Sequence, residues 1–239
     1  AKYAKMLADI PSDETRLKST GLGYMLYGGN TALVRLQMRF GMWDAAIAEL
    51  ERTQIADQAS LSAKYQKGIL VYVRGMKAID SASVVEAEIQ LIALQKTSDE
   101  MAALKTKDAS DWYFGHATRV IGVHLLDLSG SVASLRGDHA EAVKILTDAA
   151  EREKNLGYWE PPHYTRPVLE SLANASIRAG KHDDAVKAFE KILVLRPNSG
   201  FALLGMAKSY DRLGDTAKAT AVRKQLATVW KNADKDLKK

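Results

Sequence analysis

The fold of this chain is decided by two stretches of sequence, GKHDDAVKAFEKILVLRPNS at residues 180–199 and GDTAKATAVRKQLATVWKNA at residues 214–233. Their first glycines recur at a spacing of 34 residues, and so do the alanines Ala185 and Ala219. Self-similarity at a fixed period of this length is typical of stacked structural units. The two stretches therefore predict a repeat architecture.

Two further copies of the pattern lie upstream. GDHAEAVKILTDAAEREK begins at Gly137 and has Ala142 in the alanine position, and GMWDAAIAELERTQ begins at Gly41 and has Ala46 there. Gly75 lies 34 residues after Gly41, so we expect another unit around it. The pattern predicts four or five helical hairpins.

Each unit has a simple physical basis. Glycine tolerates positive φ and suits the end of a helix, and the polar residues that follow it suit the start of the next helix. Pro197 has no amide hydrogen to donate and ends the second helix of the best unit. The apolar stripe of that helix follows the helical spacing at Ala185, Val186, Phe189, Ile192 and Leu193.

The unit at residues 166–199 resembles the tetratricopeptide repeat, a helix–turn–helix unit of 34 residues. Leu172 and Ala173 stand in its Leu-Gly positions, Phe189 in its Phe position and Pro197 in its terminal Pro position. The resemblance implies an all-α fold, a right-handed α-solenoid of helical hairpins.

A longer stretch, from Tyr158 to Asp215, resembles the C-terminal part of a group of uncharacterised bacterial tetratricopeptide repeat proteins. The shared features are an aromatic Glu-Pro-Pro segment, here YWEPPHYT at residues 158–165, and a Pro-Asn-Gly-aromatic junction. RFGMWDAAIAEL, from Arg39, is also similar to that group. This resemblance implies no reaction, because the group has no established common activity.

The spacing of the units predicts one continuous domain over residues 1–239. A long helix from Asp108 is expected to run on into the first helix of the Gly137 unit, with a break near Ser129 to Ser131 as the alternative. No alternation of period two predicts a sheet. The hairpins are expected at about residues 25–58, 61–105, 108–157, 164–198 and 200–238, with a packing insert or an aromatic binding lip at 157–165.

The composition excludes several classes of active site. The chain has 239 residues, a formal net charge of +5 and no cysteine. Thiol catalysis, disulfides and Cys-ligated zinc or iron–sulfur sites are thereby excluded. There is no Gly-rich phosphate loop, no Gly-x-Ser-x-Gly elbow and no His-Glu-x-x-His pair. The sequence predicts a protein without enzymatic activity or cofactor.

A metal-binding or hydrolytic site is the alternative function. His116 and His124 lie eight residues apart on one predicted helix, and the EPPHY segment supplies Glu160 and His163. Imidazole and carboxylate groups suit zinc, nickel or iron if these segments converge. Two helical turns separate His116 from His124 by about 12 Å, too far to share one ion directly. Hydrogen bonding across the insert is the competing interpretation.

The resemblance also implies a groove lined by the first helices of the hairpins. A bias towards Arg and Lys in this groove suits a peptide or protein ligand that is acidic or ends in a carboxylate. The predicted function is a protein–protein interaction scaffold, anchored by Arg178, Lys208 and Arg212, with a solvated polar face as the alternative. Position by position, the groove residues are His124, Asp127, Ser131, Glu170, Asn174, Arg178, Lys208, Asp211 and Arg212.

Charge and hydropathy bear on other partners and on location. The C-terminal lysines are interspersed with Asp, which favours a solvated capping helix over nucleic-acid or membrane-surface binding. No apolar run reaches the 18 residues typical of a membrane span, so we expect a soluble protein of the cytoplasm or periplasm. A homo-oligomer is a further possibility, through an apolar first helix with Tyr3, Met6, Leu7 and Ile10.

Overall fold

The computed structural model describes Met6 and residues 31–53, 55, 57–104, 112–157 and 166–233, with the backbone alone at residues 112 and 113. Within these ranges the chain forms ten longer α-helices and no β-strand, so the predicted all-α fold is confirmed. In chain order the helices are α1 (Ala32–Arg39), α2 (Trp43–Arg52), α3 (Leu61–Asp80), α4 (Val84–Ala102), α5 (Trp112–Arg136), α6 (His139–Lys154), α7 (Val168–Arg178), α8 (His182–Leu195), α9 (Gly200–Leu213) and α10 (Thr216–Val229).

Consecutive helices pair into hairpins, from α1 with α2 to α9 with α10. Each second helix then packs against the first helix of the next hairpin, and the first helices α3, α5 and α7 also pack side by side. Backbone packing between units that are neighbours in sequence is what makes a solenoid. The described chain is therefore an α-solenoid of helical hairpins.

The predicted glycine turns are present in four hairpins. Gly41, Gly137, Gly180 and Gly214 have φ values of 66°, 90°, 71° and 76°. Such positive φ is strained for residues with a Cβ, which explains the recurrence of glycine. In the last turn, the Asp215 side chain accepts a hydrogen bond of 3.0 Å from the amide of Lys218 and so caps α10.

Gly75 lies within a helix and not in a turn. Helix α3 continues to Asp80, and its turn lies at residues 81–83, where Ala82 has a φ of 54°. Gly75 instead permits close packing of α3 on α5, because a Cβ there would lie 2.6 Å from Cδ2 of Leu128. The glycine at this position is therefore explained by helix packing.

The expected long helix is present as α5, which is continuous to Arg136, so the alternative of a break near Ser129 to Ser131 is wrong. Gly130 lies where α6 approaches most closely, and a Cβ on it would be 2.5 Å from Cγ of Leu146. The small residues that suggest a break serve helix packing instead.

A fully buried alanine is the fourth residue of every second helix. Four of these alanines are the ones that the sequence aligns, and Ala87 of α4 is a fifth, hidden from the alignment because α4 begins late. The alanine side chain is a single methyl group, which lets the two helices of a hairpin approach closely. The five residues, each 0% exposed, are Ala46, Ala87, Ala142, Ala185 and Ala219.

The core divides along the solenoid into three clusters of buried side chains. The first spans α1 to α5, the second lies among α5, α6 and α7, and the third spans α7 to α10. None of the described helices combines the length and apolar character needed to cross a membrane. Of the predicted apolar N-terminal face, Met6 is helical and exposed, whereas Tyr3, Leu7 and Ile10, like the insert at 158–165, lie outside the described residues.

Candidate partner-binding surface

The residues predicted to line the groove separate into a buried and an exposed group. His124, Asp127 and Glu170 are buried, with 1%, 1% and 8% of their surface exposed, and Ser131 is buried as well. The structure therefore brings only the C-terminal positions to the surface of α7 and α9. These exposed residues are Asn174, Arg178, Lys208, Asp211 and Arg212.

Two of the buried residues surround Tyr72 of α3. The Tyr72 hydroxyl donates a hydrogen bond of 2.7 Å to Oδ2 of Asp127, and the His124 ring stands edge-on to the Tyr72 ring with 4.3 Å between centroids. Nδ1 of His124 lies 2.8 Å from the carbonyl oxygen of Val120 and therefore carries the proton. Burial lowers the pKa of His124 to about 4, which keeps the imidazole neutral at pH 7. This cluster ties α3 to α5.

Glu170 joins the first hairpin to the fourth. Nη1 of Arg39, at the end of α1, donates to both carboxylate oxygens of Glu170, at 2.8 and 3.0 Å. Nε of Arg166 lies 3.9 Å from Oε2 of the same carboxylate. Since both partners of the closest pair are largely buried, losing one would leave an uncompensated charge in the protein. The end of α1 thus occupies the predicted groove at Glu170.

Aromatic contacts extend this link to the fifth hairpin. The Arg39 guanidinium lies 4.5 Å from the centroid of the Phe201 ring, and Phe40 meets the same ring edge-on at 6.0 Å. Phe201 in turn packs edge-on against Trp230 at 5.8 Å. Trp230 lies directly on Gly200, where a Cβ would be 1.8 Å from Nε1. The first hairpin therefore contacts α9 as well as α7.

The sequence does not predict this closure. The segment at residues 39–44 is recognisable by its resemblance, yet its partners lie far along the chain: Trp43 Nε1 donates to Asp80 at 2.7 Å, and the Arg166 guanidinium lies 5.0 Å from the centroid of the Trp43 ring. Contacts between residues so far apart in the chain leave no periodic pattern in the sequence. The motif itself is the one sequence feature that could have indicated it.

Four of the exposed residues of the predicted groove form two pairs. Asn174 and Arg178 are one turn apart on α7, and Lys208 and Arg212 are one turn apart on α9, so each pair shares a helix face. Partial burial lowers the pKa of Arg178, and the nearby Asp80 carboxylate opposes that change. Each of the two helices therefore presents a donor-rich face, and together the faces carry three cationic side chains.

The remaining groove residue, Asp211, is engaged within the chain. Arg223 of α10 donates to it through Nη1 at 3.0 Å and through Nη2. Lys208 and Arg212, by contrast, form no ion pair with any residue in the described ranges. The two cations of α9 are therefore available to an anionic ligand.

No metal centre is found in the part of the chain that the structure describes. No three His, Asp or Glu side chains in it are grouped so that they could hold an ion. His116 is buried, and burial together with Arg119 lowers its pKa. Glu160 and His163 of the alternative site lie outside the described residues, whereas His124 has the structural contacts given above.

The structure reveals an exposed apolar face on α4 that the sequence does not predict. Val85, Ile89 and Ile92 are 66%, 50% and 71% exposed. Ile92 also lines an open groove of about 640 Å³ between α4 and α5, together with Leu91 and Leu125. Because α4 has apolar residues on both of its sides, the pattern alone cannot tell its core face from its outer face.

Glu153 makes stability depend on pH. Burial raises the pKa of Glu153 to about 7; the Val168 amide, which donates to it at 2.8 Å, and Arg196 oppose the rise, and Asp127 and Glu170 add to it. The folded state therefore holds this proton more tightly than the unfolded chain, and stability falls as pH rises from about 4.5 to about 7. We expect Glu153→Gln to be more stable than the parent by about 1–3 kcal/mol at pH 8, measured by urea unfolding.

The control for this experiment is Glu151→Gln, at an exposed position of the same helix. It should leave the difference in unfolding free energy between pH 5 and pH 8 as it is in the parent. If Glu153→Gln retained the whole of that difference, another group would be its source.

Comparison with known proteins finds a family match in one of these hairpins. The tetratricopeptide repeat model matches residues 169–199, which span most of α7 and all of α8. The solved structure of MamA AMB-1 is 18% identical over 84% of this chain and 96% of that chain, with a TM-score of 0.44. A MamA mutant is 19% identical over 82% and 93%, with a TM-score of 0.38. Among curated proteins no sequence matches. The chain thus contains a tetratricopeptide repeat at residues 169–199, set within an α-solenoid of helical hairpins.

Proposed function

We propose that this protein is a non-enzymatic scaffold that binds an acidic or carboxylate-terminated peptide segment on the exposed faces of α7 and α9. Tetratricopeptide hairpins build surfaces for protein–protein interaction. The observation that carries the finer proposal is the pair of donor-rich faces, Asn174 with Arg178 and Lys208 with Arg212, on the first helices of adjacent hairpins.

The chemistry of these side chains suits an anionic peptide. The planar guanidinium groups of Arg178 and Arg212 can each donate two parallel hydrogen bonds to a carboxylate, and Lys208 adds a compact positive charge. The Asn174 amide can donate to a peptide carbonyl and accept from a peptide N–H. Asp211 is neutralised by Arg223, so it repels an approaching carboxylate less.

The buried residues support this surface without touching the ligand. The Tyr72–Asp127 hydrogen bond joins α3 to α5, and the Arg39–Glu170 pair joins α1 to α7. A binding site on helices that are fixed in this way loses little conformational entropy when the ligand binds. The proposed contact surface is therefore confined to the fourth and fifth hairpins.

The test is binding of short fluorescein-labelled peptides rich in Asp and Glu, each made with a free and with an amidated C-terminus, followed by fluorescence anisotropy. We expect the parent to bind and Arg178→Glu/Arg212→Glu to bind at least about tenfold more weakly, since two charge-assisted contacts become repulsive. Weaker binding of the amidated peptides would assign the terminal carboxylate as part of the ligand.

The matched control is Lys191→Glu/Lys224→Glu. It changes the net charge by the same amount, at exposed positions of the second helices α8 and α10. An equal loss of affinity in both double variants would show that the attraction is unspecific, and absence of binding by the parent would also contradict the proposal.

A further inference from the structure

The outer face of α4 differs from those of the other long second helices. Val85, Ile89 and Ile92 form a stripe opposite the buried Ala87 and Leu94. The outer faces of α6 and α8 carry charged residues instead, many of them in ion pairs within the helix. An exposed stripe of three apolar residues on one helix face indicates a contact with another molecule.

The charged residues of α4 bear on which kind of molecule makes this contact. Glu86 and Lys96 are the two charged residues of this helix that are exposed and have no polar contact with any residue that the structure describes. They flank the stripe, one towards each end. The other charged residues of α4 are engaged within the chain, in the contacts Glu88–Arg136 at 3.2 Å, Asp99–Gln95 at 2.8 Å, Glu100–Lys64 at 3.4 Å and Glu100–Lys67 at 3.4 Å.

We propose that a second copy of this chain docks on this face, α4 against α4, antiparallel about a twofold axis. In that arrangement Glu86 of each copy lies beside Lys96 of the other, and by symmetry the ion pair forms twice. The register that aligns these charges brings Ile89 and Ile92 of the two copies together at the centre. A parallel arrangement would instead set equal charges against each other.

The geometry of a helix agrees with this pairing. Glu86 and Lys96 are ten residues apart, which is about 15 Å along the axis, and the midpoint between them lies within the apolar stretch. Val85 then meets the aliphatic part of the opposite Lys96 side chain, which can cover apolar surface while its ammonium group stays in water. The face is thus complementary to itself in both hydropathy and charge.

One helix from each copy forms a small interface, so the dimer is expected to be reversible. Interfaces well below the standard size belong to weak or transient complexes. We expect a dissociation constant in the micromolar range, observable by sedimentation velocity of the full chain from about 1 µM to several hundred µM.

The first variant is Ile89→Glu, which places a charge at the centre of the stripe. We expect it to weaken dimerisation at least about tenfold, with an unchanged far-ultraviolet circular dichroism spectrum, because Ile89 is half exposed in the monomer. Val194→Glu, at an 80% exposed apolar residue of α8, is the matched control and should dimerise like the parent.

The second test is an exchange of charges. Glu86→Lys and Lys96→Glu should each weaken the dimer, and the double variant Glu86→Lys/Lys96→Glu should restore it. A parent that stays monomeric over the whole concentration range, or a dimer that survives Ile89→Glu, would overturn the proposal. If the double variant does not regain the parent's affinity, the antiparallel arrangement is wrong.

Discussion

Phe189→Ala is expected to lower the free energy of unfolding by about 3–5 kcal/mol. The Phe189 ring is buried in the C-terminal core beside Leu203 and Met206. It lies so close to α9 that a Cβ on Gly205 would be 2.2 Å from Cζ. Truncation therefore removes a large apolar group and leaves a cavity between α8 and α9 that rigid helices cannot close.

Urea unfolding followed by circular dichroism measures the loss, and hydrogen exchange locates it. Because solenoid units contact mainly their neighbours, we expect lost protection in α7 to α10 and little change in α3. Val194→Ala, on the exposed side of the same helix, should shift stability by less than about 0.5 kcal/mol. A Phe189→Ala variant as stable as that control would show that the ring does not fill this core.

Gly130→Ala and Gly122→Ala, two identical substitutions in α5, are expected to have opposite effects. A Cβ at Gly130 would lie 2.5 Å from Cγ of Leu146 and 3.3 Å from Cγ2 of Ile145, whereas a Cβ at Gly122 meets nothing within 4 Å. Overpacking at Gly130 should cost about 1–3 kcal/mol. At Gly122, higher helix propensity should add about 0.5–1 kcal/mol.

The pair is internally controlled, because both variants gain the same methyl group in the same helix. Thermal and urea unfolding of the two proteins should differ from the parent in opposite directions. If Gly130→Ala were also stabilising, α5 and α6 would be farther apart than the structure places them. The presence of glycine at position 130 would then need another explanation.

The repeat architecture could be predicted because its signals are local. A glycine with positive φ and an alanine at the fourth position of a helix are each required by the geometry of one hairpin, so Gly180 and Ala185 are readable from their own unit. The same reasoning does not apply at Gly75 and Gly130. Glycine is needed there by a neighbouring helix, and the sequence of a single unit does not distinguish a turn from a close packing contact.

The candidate site could be predicted only as a set of positions. Helical periodicity and family resemblance place His124, Asp127, Arg178 and Lys208 on first helices, but they do not state how deeply each is buried. Depth depends on which side chains approach from other hairpins. Tyr72 covers Asp127 from α3, while no residue in the described part of the chain covers Lys208 on α9 in this way.

Local sequence was thus sufficient for the helices, most of the turns and the order of the hairpins, because each depends on residues within one repeat. Tertiary structure alone decided two further features. Arg39 of the first hairpin closes on Glu170 and Phe201, and the stripe from Val85 to Ile92 faces outward. The first feature depends on contacts between segments that are far apart in the chain. The second depends on which side of α4 the neighbouring described helices cover. Both are set by the path of the whole solenoid.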